Sequence, residues 1–237
     1  MSALEQVMEI LEPFKKTAYI PQTEAVKSEF SAKSKFGGFP YLRNAADWPI
    51  CPNCKQHKQL FLQLNMAELP ENQGDGLVQL FYCTTRKPDC ESHFGAYFPF
   101  TDATTCRKIA IEGESATIEP TLGKIYEERQ IMGWEAKADY PHSEEYDLLG
   151  INFNDEQMKA IENAKISSCQ KDKLFGYPFW VQGVEYPNDR NTGEQMTLLF
   201  QLDSGDNLPH NFGDMGIGHL TQSRSNEEEL GFGWACY

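Results

Sequence analysis

Apolar positions along this chain recur first with a helical period and then with that of strands. Residues 3–16 carry Leu4, Val7, Met8, Leu11 and Phe14 on one helical face, which predicts an amphipathic helix. Ser2 and Glu5 form a capping box at its start, and Pro13 lies near its end. The chain up to residue 30 reads as an extended linker. Residues 60–65 and 77–82 are short apolar runs around Leu69-Pro70 and Gly74-Asp75-Gly76, the pattern of a long hairpin. Further strands are expected at 107–112, 116–119 and 124–138, with a break near Gly133, and residues 139–147 form a polar loop. Asn154 caps a second helix over 155–168, with Asp155 and Glu156 in the first turn as the helix dipole favours. Strands resume at 178–182, 197–203 and 217–221, and the chain closes on the aromatic stretch 232–237.

The pattern repeats. Gly38, Phe39 and Pro40 return as Gly176, Tyr177 and Pro178, and at the same offset Phe61-Leu-Gln-Leu-Asn65 returns as Leu199-Phe-Gln-Leu-Asp203. With small insertions, Leu69-Pro70 matches Leu208-Pro209, Gly74-Asp75 matches Gly213-Asp214, and Leu80 matches Leu220. Kept order with short gaps predicts two copies of one supersecondary unit about a pseudo-twofold. The expected fold is α+β: internally duplicated, mostly antiparallel sheets with an N-terminal helix and a second helix between the repeats. The segments are 1–30 (helix and linker), 31–150 (first repeat with a cysteine insertion) and 151–237 (second repeat with its preceding helix), in one compact unit.

The repeat shapes how polar residues are read. Gln63 and Gln201 sit inside apolar strands, Asn65 and Asp203 at their ends, and Asp75 and Asp214 in Gly-Asp turns. One reading is backbone satisfaction at strand ends and turns, favoured because both copies carry the residues. The other is a groove in which the copies present Gln and Asp to one ligand. His219, on a strand near Asp214 and Asp203, completes that groove set and offers an acid–base pair.

The cysteines are outside the repeat. Cys51-Pro-Asn-Cys54 precedes the first hairpin strand, Cys83 follows the second, and Cys90 comes soon after. An antiparallel hairpin brings both pairs to one end, where four thiolates suit a structural zinc. His57 and His93 are alternative ligands, and ordinary reduced cysteines are the competing reading. Cys106, Cys169 and Cys236 read as small buried apolar residues.

Charge and composition then narrow the class. The 237 residues carry a net charge of −14, with 40% hydrophobic and 12% aromatic content, as in a packed globular protein. No Lys/Arg cluster offers a nucleic-acid surface. Acids within the N-terminal apolar stretch, the lack of a basic n-region and the absence of a membrane-length apolar window predict neither a signal peptide nor a membrane span. An odd count of seven cysteines fits a reducing, cytoplasmic compartment. No P-loop, HExxH or GxSxG motif is present.

Residues 35–41, Trp48-Pro-x-Cys-Pro-x-Cys54, 61–65, 76–83, 173–182, 199–203, 213–218 and Trp234 together resemble the YwqG-like family, a bacterial domain of unknown function. The resemblance covers most of the chain from about residue 30 onward. It implies a duplicated α+β fold and distant kinship to the eukaryotic programmed-cell-death-protein-two and Tsr-type ribosome-biogenesis factors, which chaperone a basic ribosomal protein. It supplies no catalytic residues. The expected function is a protein-binding or chaperone-like module for a basic polypeptide. The alternatives are an immunity protein of a toxin system, or a small-molecule enzyme using Asp203, Asp214 and His219.

Overall fold

A computed structural model describes residues 1–71 and 73–237. Helix α1 spans Ala3–Leu11 with the expected Ser2–Glu5 capping box, and a 3-10 turn at Glu12–Phe14, which contains Pro13, ends it earlier than the apolar pattern does. Where a linker was expected, strand β1 runs over Lys16–Val26. The remaining strands are β2 (Lys35–Phe36), β3 (Gln59–Asn65), β4 (Leu77–Tyr82), β5 (Thr104–Ile109) and β6 (Glu128–Asp139). They are followed by β7 (Lys173–Phe175), β8 (Thr197–Asp203), β9 (Ile217–Gln222) and β10 (Leu230–Ala235). Short helices α2 (Cys90–Phe94) and α3 (Tyr146–Leu149) interrupt the connections. Helix α4 (Asp155–Ala164) carries its own capping box, Asn154 with Gln157, and stops at Lys165 in the left-handed region, short of residue 168.

All ten strands belong to one antiparallel sheet, ordered β10-β9-β8-β7-β1-β6-β2-β3-β4-β5. The fold is thus mostly antiparallel sheet with a few helices. Outward from the central β1–β6 pair, the order is β7 to β10 on one side and β2 to β5 on the other. Each long central strand also lies against a short one: β1 beside β7, and β6 beside β2. Gly133 does not break β6; the register of β1 and β6 shifts opposite Gln22 and Thr23, a bulge that adds local twist.

The sheet curls until its edges meet, so that it is nearly a barrel. Trp234 Nε1 on β10 donates to the Tyr82 hydroxyl on β4 at 3.0 Å, and Lys108 on β5 pairs with Glu227 of the β9–β10 loop at 2.6 Å. Such closure leaves few unpaired strand edges. Inside, Phe61, Tyr82, Phe200, Phe212 and Phe232 from both halves form one apolar core. On the outside, α1 packs on α4 through Val7, Leu11 and Ile161.

Two expected strands are absent. At 178–182 the backbone is satisfied by side chains instead of a ladder: Phe179 N–H donates to Gln201 and the Pro178 carbonyl accepts from Ser168. At 116–119 the chain packs Ala116 and Ile118 against Trp48 without strand pairing. The polar stretch 139–147 is partly helical, with a 3-10 turn at Ser143–Glu145 leading into α3.

Candidate functional site

The hairpin of β3 and β4 gathers the cysteines as the spacing predicts. Before β3, the chain turns back at Cys51–Lys55: Lys55 N–H donates to the Cys51 carbonyl at 3.0 Å, and Lys55 takes a left-handed φ of 61°. Cys83 leaves the end of β4, and Cys90 opens α2, whose N-cap Asp89 accepts from Ser92 N–H. The four sulfurs all lie within 4.8 Å of one another, with Cys51–Cys90 and Cys54–Cys83 each at 3.7 Å. Those spacings exceed a disulfide bond, and all seven cysteines are free thiols. Sulfurs about 2.3 Å from a tetrahedrally bound ion stand roughly 3.8 Å apart, so the geometry can hold a metal ion.

The surroundings favour thiolates at part of this cluster. Burial acts to raise the Cys54 thiol, but its hydrogen bonds with Thr85 and with the Gln56 backbone outweigh it and bring it down to about 7. Burial pushes Cys83 and Cys90 up. Asn53 Nδ2 donates to Cys90 Sγ at 3.4 Å. The Lys58 ammonium, buried and bonded to the Thr104 carbonyl and the Thr105 hydroxyl at 2.8 Å each, is lowered by burial and raised by its nearness to Cys51 and Cys83. The histidines do not replace any ligand. His57 Nδ1 accepts from Thr121 N–H at 3.0 Å and its ring lies against Trp48, while His93 is exposed beside Phe94. Cys106, Cys169 and Cys236 are all only half-buried, not the buried residues expected, although Cys106 packs against the core.

Gln63 and Gln201 are wholly buried and committed to backbone. Gln63 accepts from Tyr41 N–H at 2.9 Å and donates to the carbonyls of Ser31 and Lys33; Gln201 accepts from Phe179 N–H at 2.7 Å and donates to those of Cys169 and Lys171. Neither faces a groove. Asn65 caps the turn at Met66–Glu68 through Ala67 N–H. Asp203 feels burial and the Asp206 carboxylate, which raise it to about 6. Asp214 is an exposed turn residue. His219 lies against Trp180 with ring centroids 4.9 Å apart, and after burial the charge acting on it is the Lys173 ammonium, not a carboxylate. Asp203, Asp214 and His219 therefore make no acid–base pair.

Asn65 and Asp75 do line a cleft. It has a volume of about 860 Å³ where β5 approaches the β9–β10 loop, with Ile109 and Ile111 on one wall and Glu227 and Glu228 on the other.

The sequence reading missed the two fully buried lysines. Lys35 Nζ meets Glu128 at 3.1 Å and Lys173 Nζ meets Asp139 at 2.9 Å, each acid coming from β6. Burial lowers both lysines, and the partner carboxylate opposes it. Glu128 is itself raised by burial against the pull of Lys35. Lys35 and Lys173 open the matching stretches before Gly38 and Gly176, and that shared place was the available signal. A family model described as "Domain of unknown function (DUF1963)" matches residues 34–236. No curated protein matches the chain.

Proposed function

The chain belongs to the DUF1963 family, and from its geometry we propose that it is a protein-binding module that receives a basic polypeptide at the junction of its two halves. The observation that carries this reading is the cleft between β5 and the β9–β10 loop, where Asp75 and Glu228 stand with apolar Ile109 and Ile111, and where Glu227 is paired with Lys108 at 2.6 Å. Carboxylates around an apolar floor suit a segment alternating Lys or Arg with apolar side chains, and a net charge of −14 steers such a chain toward the surface. The expected set of Gln63, Gln201, Asp203, Asp214 and His219 has no part in this cleft. The mirrored strand order and the matching bonds of Gln63 and Gln201 support an internal duplication. The resemblance to YwqG-like proteins, and through them to the programmed-cell-death-protein-two and Tsr-type factors, points the same way as the charge.

Cys51, Cys54, Cys83 and Cys90 would hold a structural zinc. The ion would supply a crosslink between the turn before β3 and the start of α2, and Lys58 and Asn53 would offset its thiolate charge. An immunity role is a special case of the same binding and has no separate structural support.

The test is capture from lysate on immobilised protein, with bound chains identified by mass spectrometry and eluted by salt. Enrichment of basic chains that is lost when Asp75, Glu227 and Glu228 are changed together to their amides supports the reading. Capture that is unchanged by those substitutions, or that shows no basic chains at moderate salt, overturns it.

A further inference from the structure

The two halves differ at one row of the sheet. In the first half, Lys35, Gln63, Gln79 and Arg107 face one another across β2, β3, β4 and β5. In the second half, the same register across β7, β8, β9 and β10 reads Lys173, Gln201, His219 and Gly233. Arg107 closes the first row from within: its Nε donates to Gln79 Oε1 at 2.9 Å and its guanidinium lies 5.1 Å from the Phe81 ring centroid. Gln79 in turn donates to the Tyr41 carbonyl at 2.8 Å.

His219 occupies the place of Gln79. The Phe179 carbonyl, at the place of the Tyr41 carbonyl, accepts from its ring N–H. Burial, and then Lys173, push the imidazole down to about 3, so it is neutral and has one acceptor nitrogen. That nitrogen, Nε2, has no partner although the residue is only 9% exposed. Its first-half counterpart is the Gln79 oxygen that accepts from Arg107. Gly233 brings no side chain to it, and a pocket of about 250 Å³ opens there instead. Trp180, Tyr186 and Trp234 wall the pocket, Tyr97 and Phe98 stand exposed at it, and Glu185 supplies a carboxylate.

We propose that this pocket is an arginine-recognition site, which takes the guanidinium of a partner polypeptide where Arg107 fills the equivalent place in the first half. The guanidinium donates an N–H to His219 Nε2, lies against the aromatic faces and faces Glu185. An orphaned buried acceptor, aromatic walls and an acid are the three things a planar cation needs. A lysine ammonium offers a point charge without the planar face, and ranks lower here.

This proposal deepens the binding reading above and is tested apart from it, with a small probe. N-acetyl-arginine amide is titrated into the full chain and followed by tryptophan fluorescence and by NMR of the indole N–H groups. Saturation below roughly 10 mM is expected, with N-acetyl-citrulline amide, the neutral near-isostere, at least about tenfold weaker. His219→Phe should weaken arginine binding by at least about tenfold. Glu185→Gln, an exposed change that leaves the fold intact, should weaken it about threefold or more. Equal binding of arginine and citrulline, no saturation, or an affinity unaffected by Glu185→Gln would overturn the proposal. A chain that captures basic polypeptides through the acidic cleft but ignores the probe refutes this site alone. One that binds the probe but captures no basic chain refutes the function and leaves the site standing.

Discussion

Replacing Asp139 with Asn tests how the buried ion pairs hold the sheet. Asp139 is 0% exposed and its carboxylate accepts three charge-assisted hydrogen bonds: from Cys169 N–H at 2.7 Å, Tyr177 N–H at 2.7 Å and Lys173 Nζ at 2.9 Å. The amide has one acceptor oxygen, so one of its two ends turns an NH₂ toward donors, and Lys173 stays buried without a counter-charge. Breaking a buried pair in this way costs about 3–5 kcal/mol, a large part of a typical domain's stability. For a chain of this size that is a fall of roughly 6–10 °C in Tm. Lys173→Met should cost less, because the carboxylate keeps its two backbone donors. Combining the two changes should recover at least about 1.5 kcal/mol relative to the sum of the singles. Lys35 provides the comparison, since it also donates to the Glu29 carbonyl at 2.7 Å and the Ser31 hydroxyl at 3.3 Å. Glu128→Gln should therefore cost less than Asp139→Asn. Urea unfolding followed by tryptophan fluorescence reads all four variants. A loss below about 1 kcal/mol for Asp139→Asn, or single effects that add within about 0.5 kcal/mol, would show that the pair is not coupled as its geometry implies.

Three further outcomes follow from the structure. Purified protein should carry one zinc per chain by mass spectrometry of metals, and Cys83→Ser should lower both zinc content and Tm by several degrees; a metal-free protein indifferent to chelators would exclude the site. Asp172 is pushed up to about 7, first by burial and then by Asp206. Its folded value lies above the unfolded one, so its contribution is fully present below about pH 4 and lost as pH rises through 7. Asp172→Asn should flatten the urea midpoint between pH 5 and 8, and an unchanged pH slope would contradict this. Gly176 has a φ of +77°, and an added Cβ would fall on the Asp139 carboxylate, so Gly176→Ala should cost about 2–4 kcal/mol. Gly113→Ala, with a φ of +69° in open space, should cost only about 1 kcal/mol; equal losses would remove the carboxylate from the explanation.

What could be read from the sequence was local or paired. The capping box at Ser2, the cap at Asn154, strands at 77–82 and 197–203, and the meeting of Cys51, Cys54, Cys83 and Cys90 all rest on short-range rules, and the structure shows each. β1 was hidden because Lys16–Val26 is largely half-exposed and contains Pro21, which argues against a central strand. It is nonetheless central, and its register shift falls beside that proline, between Gln22 and Thr23. The stretch 178–182 misled in the opposite direction, since its apolar residues pack while Gln201 and Ser168 satisfy its backbone. Lys35 and Lys173 were overlooked because nothing local marks a lysine as buried; their acids come from a distant strand. The match of Leu80 with Leu220 already sets His219 in the place of Gln79, but that Gly233 stands where Arg107 does shows only in the strand register.

The crossing of the long strands bears on how the chain is made. β1 is made before its partners β6 and β7, so Lys16 waits for Asp139 and Val26 for Glu128. Through the synthesis of everything between, an eleven-residue strand has no sheet to join. Pro21, Lys16 and Glu24 are the kind of residues that discourage a stray strand from pairing with a stranger. The features that disguised β1 as a linker thus suit a segment that must remain unattached until the other half of the chain arrives.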